Sequence, residues 1–109
     1  MARIDAAIAD SVQRFLALLY AEGIRVEAAY IFGSFAEERS NRWSDIDVAV
    51  VSPDVSEDRF HERIRLTMLS SSIDSRIEPV PFRPEAFVDE DPLAWEIRRK
   101  GIRVDLTGI

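Results

Sequence analysis

Phe32-Gly33-Ser34-Phe35-Ala36 closes an apolar run, and eight residues after it begins Ser44-Asp45-Ile46-Asp47-Val48. The two segments carry complementary chemistry. A glycine after a strand lets the backbone approach a ligand closely. Ser34 adds a hydroxyl and, as an N-cap, opens a helix terminus whose free N–H groups and positive dipole end attract phosphate. In the second segment Asp45 and Asp47 stand two residues apart. On a strand such a pair projects from one face, with Ile46 on the other. Two carboxylates so close repel each other unless a cation lies between them. Hard oxygen donors favour Mg²⁺, which typically completes its shell with phosphate oxygens of the substrate.

Elements must hold these side chains in place. Ile4, Ile8, Val12, Phe15, Leu16 and Leu19 recur at helical spacing, so a helix is predicted from about Ile4 to Ala21, stopped by Gly23. Val26 to Phe32 reads as a strand. Ser34 then starts a short helix through about Glu38, and Ser40-Asn41-Arg42 is a loop. Ile46 to Val51 is nearly all apolar, as a central strand buried on both faces would be. Phe60, Ile64, Met68 and Leu69 mark a second long helix from about Glu57 to Ser71. Arg76 to Val80 reads as a third strand ended by Pro79 and Pro81. Pro84 to Phe87 is a turn of helix. Pro92 to Lys100 is a helix followed by Gly101, and Ile102 to Leu106 is a last strand. The order is α-β-α-β-α-β-α-β. It predicts an α/β (α+β) domain over residues 1–109, uninterrupted by repeats or linkers.

Composition narrows the function. The net charge of −6 argues against extended, sequence-independent nucleic-acid binding, which needs many cations. It leaves a nucleotide substrate open, because a bound metal offsets local acid. With 47% hydrophobic residues the 109-residue chain can bury a core. The absence of cysteine excludes disulfides and thiolate metal sites and suits a reducing compartment. Neither a signal peptide nor a membrane span is predicted, so the expected location is the cytoplasm.

The pattern Gly33-Ser34-x-Ala36, seven residues, then Ser44-Asp45-x-Asp47 resembles that of the minimal nucleotidyltransferases of the DNA polymerase β-like superfamily. The resemblance extends over nearly the whole chain. It implies a mixed β-sheet of about four strands flanked by helices. It implies that Gly33 and Ser34, with Ser44 beside them, hold a nucleoside triphosphate, and that Asp45 and Asp47 bind two Mg²⁺ ions. The family adds a third carboxylate from a neighbouring strand, which helps bind one metal and can act as general base. Glu78 is the candidate here; Asp74, lying before the strand, is the competitor and looks like a turn residue. The chain departs from many members at Glu37 and Glu38, where they carry Arg-Gly. Two acids near a triphosphate call for compensation, and Arg39 and Arg42 are the cations close in sequence.

The activity implied is transfer of AMP from ATP to a hydroxyl acceptor. Small stand-alone members often pair with a helical HEPN-domain protein, some adenylylating it on tyrosine, so the resemblance implies an antitoxin with a protein acceptor. The alternative from a different class is a non-catalytic binding module that neutralises such a partner by occluding it. A third is an inactive relative that keeps the fold. A homo-oligomer stays open. Outside the motif, His61 is expected on a solvated helix face, and Ser70, Ser71 and Ser72 read as a helix end. Arg98, Arg99 and Lys100 suit a helix C-terminus. Trp43 and Trp95 read as core or interface residues, Trp43 being close enough to the acids to border a nucleotide pocket.

Overall fold

The computed structural model describes residues 5–36 and 44–109. Glu37, Glu38, Arg39, Arg42 and Trp43 therefore lie outside the described residues, as does Ile4. The first helix, α1 (Ala6–Ala21), is capped by Asp5, whose carboxylate accepts from the Ala7 N–H at 2.7 Å. It buries Ile8, Val12, Phe15, Leu16 and Leu19, the face its spacing predicted. Each such large apolar side chain contributes about 1.5–3 kcal/mol when removed from water. Gly23 adopts φ 82°, and the Ile24 N–H closes the helix end on Leu19 O at 2.8 Å.

Strands β1 (Ala28–Phe32), β2 (Ile46–Val51), β3 (Ile77–Phe82) and β4 (Ile102–Arg103) form one sheet among the described residues, in the order β3-β2-β1-β4. β1 runs antiparallel to β2 and β4, and β2 runs parallel to β3. The sheet is mixed because the β2–β3 connection passes through α2 (Arg59–Ser71) and returns in the same direction. With α3 (Pro92–Lys100) this is the α+β architecture expected. One face of the sheet packs Ile31, Ile46, Val48, Val50 and Ile77 with α1 and with Leu66 of α2. The opposite face packs Ala49, Val51, Val80 and Phe82 with Ala94 and Ile97 of α3.

Four local expectations change, one being the last strand, which covers Ile102–Arg103 instead of Ile102 to Leu106. Of the helix predicted from Ser34 to about Glu38, residues 34–36 form part of a turn over residues 33–36, entered through Gly33 at φ 73°, and Glu37 and Glu38 lie outside the described residues. β3 runs through Pro79 and Pro81 instead of ending at them. Arg76 and Phe82 turn their carbonyls towards β2, accepting from the Ile46 and Ser52 N–H groups. Residues 76, 78, 80 and 82 thus bond to β2, while the ring nitrogens of Pro79 and Pro81 face the open edge, where no donor is required. Finally, α2 begins at Arg59, with Asp58 as its N-cap. Its buried residues are Glu62, Leu66 and Ser70, whereas Phe60, Ile64 and Met68 are 72%, 46% and 71% exposed.

Candidate active site

The site follows from strand register. Phe32 pairs with Asp47 across the antiparallel β1–β2 ladder, so Gly33 emerges directly beside Asp47. Asp47 in turn pairs with Glu78 across the parallel β2–β3 ladder. The Gly33 turn, Asp47 and Glu78 therefore form a row across three strands at one end of the sheet. Asp47 and Glu78 share the face that packs α3, as alternation with Ala49 and Val80 requires.

The row is tight. A side-chain carbon at position 33 would overlap Asp47 Oδ2, and φ at Gly33 already lies in the left-handed region. Only glycine meets both conditions. Asp45, exposed, precedes β2, and Ser44 occupies the bend before it. Ser34 is half-buried in the turn, and Ala36 is buried at 5% exposure.

The carboxylates disturb one another. Burial, then the charge of Asp45, pushes Asp47 above the ordinary carboxylate range. Burial, the charges of Asp45 and Asp47, and a hydrogen bond with Asp45 raise Glu78 as well. Arg63 of α2 opposes both shifts. Its guanidinium reaches Glu78 Oε2 at 3.8 Å across the β3 edge, with both side chains about half exposed. Asp74 behaves differently. Arg76 binds it at 2.9 Å and holds it below the usual range. It is answered within its own turn, while Glu78 stands opposite Asp47.

Among the described residues, no three or more His, Cys, Asp or Glu side chains form a ready-made metal cage. The donor chemistry nevertheless fits Mg²⁺. Hard, mutually repelling oxygens are present, and such ions take a few carboxylates and fill the remaining positions with substrate oxygens and water.

A hollow of about 200 Å³ opens beside the turn, lined by Phe32, Gly33, Leu93, Glu96, Ile97 and Lys100. Lys100, which the sequence suggested only as a C-terminal helix charge, borders this hollow, 3.5 Å from Glu96. Nothing in its local sequence signals that placement, because it depends on how α3 crosses the sheet. His61 and the three serines set aside behave as expected, whereas Trp95, read as a core or interface residue, is exposed. His61 is exposed beside Asp58. The hydroxyls of Ser70, Ser71 and Ser72 donate to the carbonyls of Thr67, Met68 and Leu69 at 3.1, 3.0 and 2.8 Å. Trp95 is 42% exposed, with the Arg99 guanidinium 4.9 Å above its ring.

Among solved structures, the fold resembles that of a candidate nucleotidyltransferase from Sulfolobus solfataricus. The TM-score is 0.57 and the identity 20%, over 95% of this chain and 88% of that one. It also resembles a chain from a toxin–antitoxin structure containing AMP-PNP, with TM-score 0.58 and 24% identity over 88% and 74% of the two chains. No curated protein matches. At these identities the structural likenesses establish the fold alone. The family model for polymerase β nucleotidyltransferases, however, matches residues 17–104, which include the Gly-Ser turn, both aspartates and Glu78, and the chain therefore belongs to that family.

Proposed function

We propose that this chain is a metal-dependent nucleotidyltransferase that moves AMP from ATP to a hydroxyl of a partner protein, acting as the antitoxin of a pair with a helical HEPN-type toxin. The observation that carries this reading is the row formed by the Gly33 turn, Asp47 and Glu78, with Asp45 alongside. Membership of the nucleotidyltransferase family supports the reaction class. The fold shared with a chain from a toxin–antitoxin structure supports the biological setting.

The chain's own residues divide the work. Gly33 lets the backbone approach the triphosphate, and the Ser34 hydroxyl donates to a phosphate oxygen. Ser44, in the bend before Asp45, joins them in holding the nucleotide. With no helix over residues 33–36, this grip rests on close approach and on the hydroxyl rather than on a helix dipole there. Lys100, at the hollow beside Gly33, offsets phosphate charge, while Arg63 does so from the β3 side. Asp45, Asp47 and Glu78 would hold the two Mg²⁺ ions. When bound, these ions lower the pKa of a coordinated hydroxyl and stabilise charge on the leaving group. The acceptor oxygen bonds to the α-phosphorus, the bond to the β-phosphate oxygen breaks, and pyrophosphate leaves. The acceptor's proton passes to a carboxylate, for which Glu78, in register with Asp47 on the neighbouring strand, is the candidate.

The exposed apolar face of α2 favours a partner in either case, so simple occlusion of the toxin is the second reading. The test is incubation with labelled ATP, Mg²⁺ and the product of the neighbouring reading frame, followed by mass spectrometry for an AMP adduct. An adduct made by wild type and lost in D45N/D47N supports transfer. Equal labelling by both proteins overturns the mechanism, and tight complex formation without any adduct favours occlusion.

A further inference from the structure

Phe60, Ile64 and Met68 lie one helical turn apart on α2 and form an apolar stripe exposed to solvent. With Arg63 and Thr67 they line an open groove of about 290 Å³. An amphipathic helix normally turns such a stripe to the core. Here the core side belongs to Leu66 and Ser70, with Glu62 buried at 6% and held by Arg65 at 3.2 Å.

The groove's charge identifies its occupant. The 109-residue chain carries a net charge of −6, yet the only acid of α2, Glu62, is buried. The exposed face is flanked by Arg63, which lines the groove, and by Arg65. A second copy of this chain placed symmetrically on the groove would bring arginine against arginine, because an isologous contact sets a patch against itself. Strand addition at the neighbouring β3 edge is blocked by Pro79 and Pro81, which offer no N–H. The remaining fit is a helix in the groove.

We propose that the Phe60–Ile64–Met68 groove docks an amphipathic helix of a partner protein whose apolar stripe is flanked by acidic side chains. Arg63 both lines the groove and reaches Glu78, so a docked helix lies next to the acidic row. Its identification with the acceptor protein rests on the nucleotidyl-transfer reading; the selectivity of the groove does not.

The test uses the full chain and two fluorescent synthetic helices that share a leucine face, one flanked by glutamates and one by lysines, read by anisotropy. The acidic helix is expected to bind saturably in the micromolar range. The basic helix, and the F60S/M68S variant with the acidic one, should bind weaker by about tenfold or more. W95S, at an exposed apolar residue on α3, should bind like wild type. Equal binding of both helices, no binding, unchanged binding by F60S/M68S, or loss in W95S each overturns the proposal. So does a concentration-dependent dimer that F60S/M68S abolishes, which would give the groove to a second copy. Selective peptide binding alongside absent AMP transfer would leave the docking surface standing and remove the catalytic reading.

Discussion

The two ends of β2 treat carboxylates in opposite ways. Beyond its C-terminal end, Asp54 is gripped by Arg25. Nε and Nη2 donate at 2.9 and 3.0 Å and the backbone N–H at 2.9 Å, holding Asp54 down to about 2. Arg83 ties the same loop by donating to the carbonyls of Pro53 and Val55 at 3.2 and 2.6 Å. At the N-terminal end Asp47 and Glu78 face Asp45 and are pushed up, with Arg63 as a distant counter-ion. An acid answered by an arginine of its own chain serves the fold. Acids left opposite one another keep a charge deficit that an added cation can fill.

The largest effect should come from the unanswered end. D45N/D47N is expected to lower AMP transfer by about a hundredfold or more, since metal stabilisation of the transition state is worth several kcal/mol. Circular dichroism should show the fold intact. Full activity in that variant would erase the distinction between the two ends. Next, G33A should cost about 1–3 kcal/mol in chemical denaturation, because alanine resists the left-handed backbone and would collide with Asp47. An unchanged denaturation midpoint would mean that the turn and Asp47 are not in contact.

D47N alone should raise the thermal midpoint by a few degrees in EDTA, because it removes a half-buried charge repelled by Asp45. Added Mg²⁺ should stabilise wild type and not D47N. A lower midpoint for D47N in EDTA would show that Asp47 is satisfied by the protein after all. The smallest effect belongs to the paired end. The folded-state value of Asp54 is depressed, so its contribution is present above the unfolded value of 3.8 and is lost as pH falls towards about 2. Wild type should therefore lose its advantage over D54N across that window in acid unfolding. A constant difference between the two over that range would break the assignment.

Much of the site could be read directly from the chain. The apolar run from Ile46 to Val51 places Asp47 at the start of a central strand, while Asp45 lies just before that strand, outside its pleat. Glu78 was within reach of sequence reasoning only through resemblance, because its position beside Asp47 depends on parallel register. The two prolines of β3 misled for a related reason: whether a proline ends a strand depends on which edge its nitrogen faces. Phe60, Ile64 and Met68 marked α2 as a helix by their spacing, but spacing is blind to rotation about the helix axis.

The amino-acid sequence by itself determined the local chemistry: the Gly33-Ser34 turn, the paired aspartates, the α1 face and the order of elements. These follow from backbone sterics, side-chain periodicity and caps that act within a few residues. Only the tertiary structure decided that Glu78 stands beside Asp47, that Lys100 borders the hollow at Gly33, that Arg25 answers Asp54, and that the apolar stripe of α2 faces outward. Each of those outcomes depends on how distant segments cross the sheet, where the best-packed arrangement outweighs the preference of any single residue.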